Sequence, residues 1–160
     1  MKESHMLAQL ASGLEAADAA TVLATMTDDV TLRVAVHDQP FEGREVTGQI
    51  LTAVLDGALH DVEVTETIRQ AAGQAGAETA GQAGAQPAGQ PGAQTAILMF
   101  TVQVADHPGT ADGLLVVRCD PDRDNRIFDI TVFLRPLAAL QALADDMGRR
   151  LGGPRPGDGA

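Results

Sequence analysis

From Ala72 to Thr95 the chain reads AGQAGAET AGQAGAQP AGQPGAQT, one eight-residue unit written three times. The stretch contains no Leu, Ile, Val or aromatic residue, and Ala is its only hydrophobe. Stacked solenoid repeats need a buried apolar stripe, which this unit cannot supply. Its glycines fall at 73, 76, 81, 84, 89 and 92, so the every-third-residue rule of collagen fails. Gly and Pro together disfavour a helix. A flexible polar loop is what remains, and any folded core must be assembled from the sequence on either side.

Both flanks read as strands. HDVEVTETI (His60–Ile68) alternates, with Val62 and Val64 on one face, and ILMFTVQVA (Ile97–Ala105) is strongly apolar. Without the repeat the two would close as a hairpin, so residues 72–95 are expected to be an insertion at its tip. Loop closure grows logarithmically with length, so the added cost over a short turn is roughly 2 kcal/mol.

Helical spacing predicts a first helix over residues 4–17, where Met6, Leu7, Leu10 and Leu14 share a side. Asp18 caps a short second helix, expected to end at Asp28-Asp29. VTLRVAVHD (Val30–Asp38) alternates as a half-buried strand, and QPFEGRE is a turn or short edge segment. Val46, Ile50, Leu51 and Val54 make the stripe of a third helix. Gly113–Cys119 and Arg126–Arg135 are further strands, separated by the turn DPDRDN. A last helix follows Pro136, with Leu137, Leu140, Leu143, Met147 and Leu151 along one side. Residues 152–160, GGPRPGDGA, form a tail without means of burying itself. Strands gathered after helices predict an α+β fold with a mostly antiparallel sheet, curled around the third helix.

The net charge of −11, from 11 Lys+Arg against 22 Asp+Glu, argues against a nucleic-acid surface and against anionic membranes. With no Trp, no Tyr and four Phe, base stacking and any Tyr hydroxyl chemistry are poorly supplied. Cys119 is the only cysteine, so no intrachain disulfide forms, and its place in LLVVRC reads as a small buried hydrophobe. The first residues lack a sustained apolar run, and nowhere do 18 consecutive apolar residues occur, so a cytoplasmic location is expected.

Site chemistry is sparse. The four histidines, His5, His37, His60 and His107, share no metal-ligand spacing, and no metal or other cofactor is expected. Asp120–Asn125 lacks the Gly and Glu that a calcium loop needs at its sixth and twelfth places. Asp129 and Arg33 each sit inside an otherwise apolar strand. Either they lie on a solvated or subunit-facing side of the sheet, or they face a pocket, where a buried Asp129 could serve as a base. Parity cannot choose, because both faces of the last strand carry apolar residues.

Three passages carry a resemblance: TDDVTLRVAVHDQPFEGREV, LHDVEVTE and NRIFDITVFLRPLAALQALADDMGRRL. The strand, then FEGRE, then helix, and the final strand running into RPLAALQALADDMG, resemble the SnoaL-like branch of the nuclear-transport-factor-2-like superfamily. The likeness covers roughly residues 5–70 and 96–151. It implies one domain over residues 1–151, a cone whose curved sheet wraps around the N-terminal and third helices. It also implies an apolar pocket inside, lined by Leu115, Val117, Met99 and Thr131, and a homodimer formed through the sheet's outer face. Relatives of this kind include ketosteroid isomerases, polyketide cyclases and epoxide hydrolases. Two departures argue against an enzyme: the steroid isomerase Tyr is absent, and GLLVVRCD puts Leu115 where many similar sequences carry an acid. Three readings follow. The first is a pocket protein binding a small apolar molecule. The second is a cyclase, isomerase or hydrolase with Asp129 or His37 as base and Arg33 as anion stabiliser. The third is a non-catalytic dimerisation module.

Overall fold

A computed structural model describes residues 2–35, 37–70 and 93–151. Their elements run α1 (Lys2–Glu15), α2 (Ala19–Ala24), β1 (Met26–Val34), β2 (Phe41–Glu42), α3 (Arg44–Ala53), β3 (Leu59–Gln70), β4 (Gln94–Val104), β5 (Thr110–Asp120), β6 (Arg126–Arg135) and α4 (Leu137–Leu151). A π-helical turn, Val54–Ala58, links α3 to β3, and a cis peptide precedes Pro136 between β6 and α4. Most of the expected insertion lies outside the described residues, as does the expected tail. The last two residues of the repeat, Gln94 and Thr95, belong to β4, so that strand begins before the apolar run.

Asp18 starts α2 as expected. Its Oδ1 accepts from the N–H groups of Ala20 and Thr21 at 3.1 and 3.2 Å, and the Thr21 hydroxyl donates to Oδ2 at 2.6 Å. That hydroxyl, then the backbone donors, hold the Asp18 carboxyl below the usual carboxylate range. The helix ends earlier than expected, at Ala24, because β6 recruits the next residues. The N–H of Ile127 donates to the carbonyl of Thr25, and Met26 pairs with Ile127. Asp28 and Asp29 therefore lie in β1 and not at a helix end. Their side chains reach solvent, where Asp29 accepts from Arg123 at 2.7 Å.

The sheet order is β2-β1-β6-β5-β4-β3, with β1 and β6 parallel and every other pair antiparallel. Successive side chains alternate between its faces. Its inner face carries Val30, Leu32, Leu98, Val102, Leu115, Val117 and Ile130, all buried. Against them pack Leu7, Leu10 and Leu14 of α1, Val22 of α2, Ile50 of α3 and Ala139 of α4. Each such Leu, Val or Ile stabilises the fold by about 1.5–3 kcal/mol. Cys119 is buried among them as expected. Phe100 pairs with Gly113, and a Cβ at Gly113 would run into the Phe100 ring, so the ring lies over bare backbone. The result is the expected α+β architecture, a curved, mostly antiparallel sheet closed by helices on its inner side.

Candidate functional site

The strand registers place Asp129 on the outer face. Arg118 of β5 pairs with Asp129, yet Cys119 pairs with Ile127, so Phe128 is an extra residue in a β-bulge. The bulge breaks the alternation: Ile127 points inward with Cys119, while Asp129 turns outward with Arg118. Asp129 is 7% exposed, sheltered by its neighbours. Arg33 of β1 donates from Nη1 to Asp129 Oδ1, and Arg118 Nε lies 3.3 Å from Oδ2. The Arg118 guanidinium carbon also sits 5.5 Å from the centre of the Phe128 ring, a cation–π contact. Asp129 thus spends one oxygen on each arginine, as a counter-ion spanning three strands.

His37 does not join this group. It is exposed on the turn after β1, and its ring meets Phe41 edge-on at 5.3 Å. The residues expected to line one pocket divide between faces. Leu115 and Val117 point inward into the core. Thr131 pairs with Val116, and Met99 with Leu114, so both lie on the outer face. Val117, Leu98, Val102 and Ile127 have no exposed surface at all, so no water-sized space borders them.

Two hollows lie elsewhere. An open groove of about 1000 Å³ runs along α3 between α2 and α4, where Leu23 and Ala53 meet Arg44, Glu45, Asp56 and Arg150. A smaller one of about 420 Å³ lies between the end of α1 and the start of β3, beside His60 and Asp61. Neither is lined by the seven residues expected to form the site.

Two groups escaped the sequence reading. Arg118 is one: its side chain lies on the face opposite Cys119, which is the very reason it meets Asp129. Asp146 on α4 is the second. It is 7% exposed and accepts from Arg149 at 3.2 Å and from Arg150. Burial pushes its carboxyl up, but hydrogen bonds from Arg150 and Arg149 prevail and hold it below the usual range. The spacings of three and four residues on one helix were the available signal. Among the described residues no group of three or more His, Cys, Asp or Glu side chains is placed to hold a metal ion.

Solved structures with this architecture are numerous. A steroid delta-isomerase from Pseudomonas aeruginosa superposes with a TM-score of 0.70 and 24% identity, covering 94% of this chain and 92% of its own. A cystatin-like-fold protein from Silicibacter pomeroyi gives 0.69 and 17%, covering 92% and 85%. An NTF2-like protein of unknown function from Cytophaga hutchinsonii gives 0.58 and 8%, covering 86% and 94%. The fold is NTF2-like. No family model and no curated protein matches the sequence, so the NTF2-like assignment is one of fold. No helix among the described residues is long and apolar enough to cross a membrane.

Proposed function

We propose that this chain is a non-catalytic NTF2-like module that pairs with a second copy of itself through the outer face of its sheet. The observation that carries the reading is an apolar band across that face. Ile68, Met99 and Phe133 are 45%, 38% and 48% exposed there, beside the half-buried Ile97, Leu114 and Val116. A contiguous band of this kind marks a docking surface, and covering it stabilises a complex by about 25 cal/mol per Å² of apolar area. Against a catalytic role stands Asp129, tied to two arginines outside the cone. A cytoplasmic setting goes with this reading, since a single cysteine allows no intrachain disulfide.

The test is sedimentation velocity with interference optics, because the chain lacks Trp and Tyr. The wild type sediments as a dimer and Phe133→Asp as a folded monomer. A wild-type monomer at tens of micromolar sinks the proposal.

A second reading, binding of a small apolar molecule, rests on the groove along α3. Its volume of about 1000 Å³ suits a small ligand, and the steroid delta-isomerase shares the fold. A thermal-shift screen with steroids and polyketide-like ring compounds tests it, and no stabilisation by any of them rejects it.

A further inference from the structure

The strand registers turn the outer face into a grid. One row across the sheet reads Glu66, Met99, Leu114, Phe133, and the next reads Ile68, Ile97, Val116, Thr131, Arg33. The apolar band occupies the middle of both rows. A single acid, Glu66, closes one end on β3, and a single base, Arg33, closes the other on β1. At about 4.8 Å per strand, they stand roughly 19 Å apart. Glu66 is exposed and has no ion pair among the described residues. Arg33 shares Asp129 with Arg118, so two guanidinium groups face one carboxylate and a positive charge remains uncompensated.

We infer that the two copies pair about a two-fold axis that lies in the interface and runs over β5 past Leu114 and Val116, so that Glu66 of each copy meets Arg33 of the other. This rests on the sheet-face pairing proposed above and adds its orientation and its charge contacts. The geometry follows from the grid. The midpoint between Glu66 and Arg33 falls on β5, at the centre of the apolar band. A two-fold axis lying in the interface there exchanges the two ends and lays apolar residues over apolar residues. Because the two charges sit one row apart, the sheets cross at a modest angle, as aligned sheets do. Sliding either sheet by one strand separates the charges and uncovers part of the band.

Two measurements test this on the full chain. The first is a charge exchange followed by sedimentation. Glu66→Arg and Arg33→Glu each weaken the dimer about tenfold or more, and the double variant recovers most of the loss. The second uses cysteines, Cys119 being buried. A residue near the axis meets its own copy, so Leu114→Cys crosslinks with itself on mild oxidation. Glu66→Cys does not, but a mixture of Glu66→Cys and Arg33→Cys does. A dimer that Phe133→Asp dissociates, but that shows neither charge rescue nor Leu114→Cys self-crosslinking, overturns the axis and leaves sheet-face pairing standing. A wild-type monomer overturns both.

Discussion

Asp129 and Asp146 pose the same problem in two places. Each is a nearly buried carboxylate held by two arginines, and the two solutions differ in origin. Asp146 draws its partners from its own helix, three and four residues on. Asp129 draws one arginine from the neighbouring strand β5 and the other from β1, 96 residues away in sequence. The helical pair forms wherever the helix forms. The sheet group forms only when β1, β5 and β6 are all in register. Asp146 therefore reports local structure, and Asp129 reports assembly of the sheet.

Removing each carboxylate should separate the two most clearly. Asp129→Ala strands two guanidinium groups on a sheltered face. Arg33 keeps 38% of its side chain exposed, so the loss is about 2 kcal/mol, short of the roughly 3–5 kcal/mol of a fully buried pair. Urea unfolding followed by circular dichroism measures it, and a loss below half a kcal/mol would show that the group braces nothing. Phe128→Ala removes the ring beneath Arg118 but keeps both ion pairs. A loss of about 1–2 kcal/mol is expected from packing and cation–π together. If it equals or exceeds that of Asp129→Ala, the ring and not the carboxylate anchors the bulge.

Asp146→Asn should cost less, about 1 kcal/mol or below, because Arg149 retains Asp106 at 2.6 Å and Arg150 can turn to water. A larger loss would mean that α4 depends on this pair for docking. The smallest effect is one of pH. The folded-state pKa of Asp146 is depressed, so its contribution is present above the unfolded value of about 4 and is lost as pH falls through the folded value. Asp146→Asn should give a flatter acid limb than the wild type below about pH 4. Superimposable limbs would place the acid sensitivity elsewhere, with Asp29 the next carboxylate to examine, since Arg123 depresses it as well.

The same division runs through the whole chain. The α+β class, the stripe of α1, the Asp18 cap and the buried place of Cys119 were legible, because each depends on spacing within a few residues. The stripes of α3 and α4 were legible only in part, since Val46, Leu137 and Leu151 are exposed and α4 buries Ala139 and Asp146 instead. The pocket set was not. Leu115 and Met99 lie on different strands, and only the register decides that Leu115 pairs inward with Leu98 while Met99 pairs outward with Leu114. The end of α2 was misread for a related reason, since β6 pulls Met26 into a strand that its neighbours Asp28 and Asp29 do not announce.

By itself the sequence determined where the apolar residues recur, and so where most helices and strands fall. Tertiary structure alone decided which face each strand presents. The clearest case is the extra residue at Phe128: its bulge reverses the alternation in β6, turning Asp129 from the core to the outer face, where Arg33 and Arg118 meet it, and further register shifts fall in β1 and β3. Local periodicity carries no record of such a shift, because a bulge is defined by the partner strand and not by the strand that contains it.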